Sequence, residues 1–202
     1  MMVSMLPPAE HYNADGTAAT QRLASAGRPA PLVTVGIMDP EGGRILPTGE
    51  RGEIVVRGSL VMAGYYNNPE ATEAASRFGW HHTGDIGYLD EDGYLFIVDR
   101  LKDMIITGGF NVYSAEVEQT LMQHPAVRDC AVVGLPDEKW GERVTAVIEA
   151  GADVEPDELV AFVKARIGSV KAPKQVELWP ELPRSRLGKV LKADVRAQLL
   201  GS

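Results

Sequence analysis

The chain has 202 residues, a length that suits one or two domains, and 45% of them are hydrophobic, enough for a real core. A formal net charge of −8 argues against a nucleic-acid surface, although it leaves room for a local basic pocket that takes a phosphorylated ligand. The single cysteine, Cys130, excludes an internal disulfide framework, and its apolar setting in "VRDCAVVGL" predicts a small core residue.

Along the chain, residues 1 to 30 mix Ala, Pro, Gly and polar residues without a period and are predicted to be loop. The start, "MMVSMLPPAEHYNADG", has no basic region followed by an apolar run and does not read as a signal peptide. From 31 to 65 three short strands are predicted, "LVTVGIMD", "GEIVVRG" and "LVMAGYY", separated by the turn clusters "DPEGGR" and "PTGERG". "NPEATEAASRF" suits a short helix, and "GYLDEDGYLFIVDR" a hairpin turning at Asp92-Gly93. "DMIITGG" reads as a strand. "SAEVEQTLMQ" reads as a helix capped by Ser114, with Val117 and Leu121 on one face. "DCAVVGL" and "RVTAVIEA" are strands. "EPDELVAFVKARI" is an amphipathic helix with Pro156 in its first turn and Leu159, Phe162, Val163 and Ile167 as its stripe. "QVELW" is a short strand, and "KADVRAQLL" a last helix with Leu191, Val195 and Leu199 on one face. The fold class is therefore α+β: a small antiparallel β unit over residues 1–99, then a compact α+β domain over 100–202. The charged stretch Asp99–Lys102 suits a hinge between them.

Four histidines, His11, His81, His82 and His124, show no metal-ligand spacing, and adjacent residues in an extended segment point to opposite faces, so no metal site is expected. No run reaches the roughly 18 apolar residues that span a bilayer, and a cytoplasmic protein is expected. Asp85 follows Thr83-Gly84, a turn that can present a carboxylate to the paired hydroxyls of a ribose, and Arg100 offers a planar donor fork for hydroxyls or phosphate. Taken singly, an ordinary turn aspartate and a surface arginine explain them as well. Gly108-Gly109 in "TGGFN" permits positive φ and the close approach of a ligand to backbone, or is only a turn. Lys189 follows a glycine on a basic, Pro-led loop before the last helix, where a mobile point charge could meet a phosphate or carboxylate, or simply be solvated.

As an ordered set, "GERGEIVVRGSLVMAGYYNNPEAT", "GWHHTGDIGYLDEDGYLFIVDRLKDMIITGGFNVYSAEVE" and "LPRSRLGKVLK" resemble the adenylate-forming (AMP-binding) superfamily, and within it the acyl-CoA synthetases or fatty-acid–CoA ligases. The resemblance runs from about residue 27 to the C-terminus, over about 170 residues. It implies an ATP-dependent ligase. A carboxylic, most simply fatty, acid and ATP give an acyl-adenylate and pyrophosphate, and coenzyme A then displaces AMP to give the acyl-CoA. It implies that Asp85 and Arg100 bind the nucleotide and that Lys102 sits at a hinge about which the small C-terminal domain turns between half-reactions. Lys189 would be the catalytic lysine of adenylation. Gly108, Gly109 and Phe110 would line the path of the pantetheine arm, and Lys164 would meet a coenzyme A phosphate.

Two features depart from the family pattern. The phosphate loop ending in Pro-Lys-Gly and the Tyr-Gly-x-Thr-Glu segment are absent, and with them the acyl pocket. The chain therefore reads as the C-terminal portion of a synthetase, not expected to adenylate by itself, with Mg2+ expected only alongside the missing large-domain residues. Ser114 also stands where the family commonly has proline. Other readings stay open: a domain that loads an amino or aryl acid onto a carrier protein, told apart by its thiol acceptor, or a non-catalytic nucleotide-binding or interaction module. Apolar surface left by the missing part predicts association, as a homodimer or with a partner.

Overall fold

A computed structural model describes residues 3–201; Met1, Met2 and Ser202, the ends of the two segments read from sequence, lie outside the described residues. The chain separates into two compact units, Met1–Leu101 and Lys102–Ser202. The architecture is mixed α+β, as expected from the pattern of elements.

The first unit is built on a four-stranded antiparallel sheet in the order β3-β4-β5-β6: β3 Val33–Met38, β4 Gly52–Gly58, β5 His81–Leu89 and β6 Leu95–Arg100. Ile37, Ile54 and Leu95 make its core, with Val35, Leu46 and Leu89 packed against them. The β5–β6 connection is wider than an Asp92-Gly93 turn. Asp90 accepts the backbone N–H groups of Asp92 and Tyr94 on its carboxylate, and Gly93 takes φ +79°, a three-residue loop closed by a left-handed glycine. Residues 1 to 30 are less irregular than composition suggests. Strand β1 (Ser4–Met5) pairs with β2 (Arg28–Pro29), and the short helix α1 (Thr20–Leu23) carries Arg22, whose guanidinium bonds the carbonyls of Glu10 and Tyr12. The expected strand at "LVMAGYY" is not formed. Val61 turns back on Gly58, and the Thr72 hydroxyl takes the Tyr65 N–H while donating to the Asn68 carbonyl, which folds the segment into the approach to helix α2 (Pro69–Ala74).

In the second unit the sheet runs β11-β10-β7-β8, and β9 pairs with the other edge of β10. Strands β7 (Ile105–Thr107) and β8 (Phe110–Val112) form a small hairpin, β9 (Val127–Asp137) and β10 (Gly141–Ala150) a long one, and β11 (Gln175–Trp179) lies parallel to β10. Alternation sends Val132, Val144, Ala146 and Ile148 to one face, under α3 (Ser114–Leu121) and α4 (Pro156–Ile167). Ala131, Val133, Leu135 and Val147 go to the other face, under α5 (Lys192–Gly201). Covered on both faces, β9 reads as an unbroken apolar run rather than an alternating one. Val117, Leu121, Leu159, Val163 and Val195 are fully buried, whereas Leu191 precedes α5 and stays exposed. Ser114 does not cap α3. Tyr113 holds the cap position, and the Ser114 hydroxyl, one residue inside, accepts from Lys192 Nζ at 2.8 Å. Cys130 is buried as read from sequence, and burial pushes its thiol up, with the Glu118 and Asp129 carboxylates adding to the shift.

Candidate functional site

The first unit presents Asp85 from a bulge. Glu53 pairs with Ile86 and Val55 with His82, so three residues of β5, 83 to 85, stand opposite one of β4. A bulge re-aims a side chain and frees it from the ladder. Polar groups underneath fix its shape. The Thr83 hydroxyl donates to the Ile54 carbonyl and accepts the Asp85 N–H, and Gly84, at φ +73°, gives its N–H to Glu53 Oε1 at 3.1 Å. The second oxygen of Glu53 lies 2.7 Å from His82 Nδ1, and His82 Nε2 lies 3.1 Å from the Arg77 carbonyl. A carbonyl only accepts, so Nε2 carries a hydrogen, and Nδ1 faces the Glu53 carboxylate in a buried hydrogen-bonded pair. On the outer side of the bulge, Arg100 Nε reaches Asp85 Oδ1 at 2.8 Å, the two residues being register partners across β5 and β6. The neighbouring histidines thus part company: His82 is buried on Glu53, while His81 lies half-buried on the other face.

In the second unit, Gly108 and Gly109 are the two central residues of the β7–β8 hairpin, with φ +57° and +81°. Positive φ at both is the signature of a type I′ turn, which only glycine and a few small polar residues adopt easily. A Cβ on Gly108 would meet Trp140 Cε3 at 3.0 Å, while one on Gly109 would meet nothing within 4 Å. Behind the turn, the Gly108 N–H donates to the Trp140 carbonyl at 2.7 Å and the Ile106 N–H to Glu142 Oε2 at 2.9 Å, so Trp140 and the start of β10 carry the hairpin. Phe110 and Trp140 remain exposed beside it. Buried Thr107, one residue ahead of the turn, has a hydroxyl without a partner among the described residues. Lysine charge gathers near Trp140: Lys139 Nζ lies 4.8 Å and Lys174 Nζ 5.9 Å from its ring. Burial and the charge of Lys164 on α4 together hold the Lys174 ammonium below its usual range.

Lys189 lies on a separate small hairpin. The Ser185 N–H donates to the Lys189 carbonyl at 2.8 Å, Leu191 N–H to the Pro183 carbonyl at 2.9 Å, and Arg184 bridges to Val190. The Lys189 side chain is exposed and has no acidic partner among the described residues. Lys102 is also exposed, in the turn Leu101–Asp103 where the two units meet in sequence. Among the described residues no three His, Cys, Asp or Glu side chains gather to hold a metal ion.

Residues 3–66 match the model of the AMP-binding enzymes, and residues 116–189 that of the AMP-binding enzyme C-terminal domain. The chain belongs to the AMP-binding enzymes. Among relatives within that family, it is 47% identical over 178 residues to a feruloyl-CoA synthase of an Amycolatopsis species, covering 87% of this chain and 36% of that one. It is 47% identical over 196 residues to a medium/long-chain-fatty-acid–CoA ligase of Mycobacterium tuberculosis, covering 93% and 34%. Among solved AMP-binding folds, the o-succinylbenzoate CoA synthetase of Bacillus subtilis, in complex with its acyl-adenylate intermediate, matches with a TM-score of 0.82 at 36% identity, over 96% of this chain and 38% of that one. An amide bond synthetase of Marinactinospora thermotolerans matches with a TM-score of 0.82 at 41% identity, over 97% and 39%. The chain therefore spans about a third of the length of the relatives it matches.

Set against the residues singled out from sequence, the structure joins Asp85 to Arg100 and puts Gly108, Gly109 and Phe110 on one turn, with Lys164 acting electrostatically on Lys174. Lys189 is on its own hairpin. Sequence reasoning missed Glu53 and His82 beneath Asp85 and Trp140 and Glu142 beneath the glycine turn. For the second pair, "KWGE" was the available signal: an aromatic next to a glycine and an acid at the mouth of a predicted strand.

Proposed function

We propose that this chain is the C-terminal part of an ATP-dependent acyl-CoA synthetase. In the first half-reaction a carboxylate oxygen attacks the α-phosphate of ATP; the new P–O bond forms as the bond to the β-phosphate oxygen breaks, and pyrophosphate leaves. Lys189 stabilises the charge shared by carboxylate and α-phosphate. The Asp85 carboxylate accepts from the ribose hydroxyls, and Arg100 holds that carboxylate while offering its remaining donors to the nucleotide. In the second half-reaction the thiol of coenzyme A attacks the acyl carbonyl and AMP departs. Gly108, Gly109 and Phe110 form the surface along which the pantetheine arm lies, and Lys164, beside Lys174, meets a coenzyme A phosphate. Lys102 is the hinge that lets these two sets of groups act in turn. The acid is a carboxylic acid of the fatty or aryl class. A reaction that draws on ATP and coenzyme A fits a cytoplasmic protein.

The observation that carries this reading is the exposed Lys189 ammonium, raised on an ordered hairpin with no acid among the described residues to neutralise it. Calorimetric titration of the chain with coenzyme A and AMP tests it. Coenzyme A should bind the wild type and Lys189→Ala alike and fail to bind Gly109→Leu, whose side chain would project over the turn. Equal coenzyme A affinity in Gly109→Leu would remove the turn from the thiol path. Carboxylate-dependent ATP–pyrophosphate exchange should be absent from the chain by itself, because the adenylation pocket needs residues that its longer relatives carry.

A further inference from the structure

The base of the Lys189 hairpin rests on the core through Leu182 and Val190, but its tip has no such support, Leu187 being 96% exposed. The tie that reaches the tip, beside the lysine, is polar. Arg184 Nη2 donates to Asp129 Oδ2 at 2.6 Å and to Glu149 Oε2 at 3.0 Å, and its Nη1 donates to the Gly188 carbonyl at 3.2 Å, one residue from Lys189. One guanidinium thus spans from two carboxylates of the β9–β10 ladder to the backbone next to the lysine. The carboxylates also need it. Asp129 and Glu149 are register partners, directly opposite across the two strands, where like charges repel. Glu149 is buried, and besides Arg184 it takes Arg128 on its other oxygen and the Leu182 N–H at 3.3 Å. Burial alone would raise the Glu149 carboxyl; the hydrogen bonds from Arg184, Leu182 and Arg128 overcome it and hold the group below its usual range.

We infer that Arg184 is the positioning residue of Lys189: clamped by Asp129 and Glu149, it preforms the hairpin that presents the lysine before any substrate arrives. The inference rests on reading Lys189 as the adenylating lysine. A lysine on a loop that must order itself during the reaction loses rate to that ordering; one on a preformed hairpin does not. Arginine suits the task because its planar fork donates in two directions at once, which an ammonium does not reproduce.

Amide hydrogen exchange, read residue by residue by NMR on the 202-residue chain, tests it. In the wild type the Ser185, Gly188 and Leu191 amides should be protected. Arg184→Met should lower their protection at least tenfold while Val133 and Ala146, inside the β9–β10 ladder, keep theirs. Arg184→Lys should restore part of the loss by supplying charge to Asp129 and Glu149 without the bond to Gly188. Lys189→Ala should leave the hairpin protected. If Arg184→Met also opens the ladder, Asp129→Asn decides, since it removes one anchor and should loosen the hairpin alone. Unprotected hairpin amides in the wild type, full protection in Arg184→Met, or loss in Lys189→Ala would each overturn the inference. None of these readouts involves adenylation, so a failure of the proposed reaction and a failure of the clamp are told apart.

Discussion

At the scale of single residues, the least replaceable polar group in the first unit is Glu53, with 2% of its surface exposed. Its two oxygens serve two masters, the Gly84 N–H and His82 Nδ1. Truncating it leaves His82 Nδ1 and the Gly84 N–H without their partner, and removing one member of a buried pair typically destabilises by about 3 kcal/mol or more. Glu53→Ala should therefore lower the urea midpoint strongly, whereas Asp85→Ala, which removes a partly exposed carboxylate above the same bulge, should lower it little. Equal losses in the two variants would mean that the bulge is not supported from beneath. The comparison separates the group that would bind a nucleotide from the groups that shape its turn, a distinction invisible in "HHTGD" because the support comes from β4, about thirty residues earlier in the chain.

Elements differ in how far they could be read. The helices α3, α4 and α5 were legible because their apolar residues repeat every three to four positions, and β9 and β10 because Val and Ile cluster in them. Strand β8 was missed: three residues squeezed between a glycine pair and a helix start leave no alternation to detect. "LVMAGYY" carried the composition of a strand, but hydrogen bonds from Thr72 and Asn68, outside that stretch, decide its loop. The glycine pair was legible as a turn, and its type was not, since the twist that selects I′ comes from pairing Thr107 with Phe110. That type makes its two positions unequal. Gly108→Ala meets both a left-handed φ and Trp140, and Gly109→Ala only the φ. Denaturant unfolding should show Gly108→Ala losing about 1–2 kcal/mol and Gly109→Ala about 1 kcal/mol. The reverse order would mean that Trp140 does not pack on the turn.

For the molecule as a whole, the candidate residues fall in two separate compact units, with Asp85 and Arg100 in the first and the glycine turn and Lys189 in the second. The residue positions could be read from sequence, but the groups beneath them could not, because each support crosses a long stretch of chain. The first unit also exposes Leu60, Met62, Tyr65 and Tyr66, the last at 93%. Apolar side chains close in sequence and open to water favour association. Light scattering over a concentration series should show the chain's mass rising above 21.8 kDa, and Tyr66→Ser with Leu60→Ser should reduce the rise. A constant monomer mass at every concentration would dismiss association through this segment.

The long β9–β10 hairpin closes over only three intervening residues, 138 to 140, whereas Gln175 must travel past α4 to reach Thr145. Closing a short loop takes little chain entropy and closing a long one more, so the hairpin can form well before β11 arrives. The segment bearing Arg184 and Lys189 follows β11 in the chain and has its anchors, Asp129 and Glu149, already waiting on the hairpin. The clamp should accordingly be among the last contacts to form and the first to break. In stopped-flow kinetics Arg184→Met should speed unfolding and leave the refolding rate nearly untouched. A slowed refolding limb would instead put the clamp inside the folding nucleus.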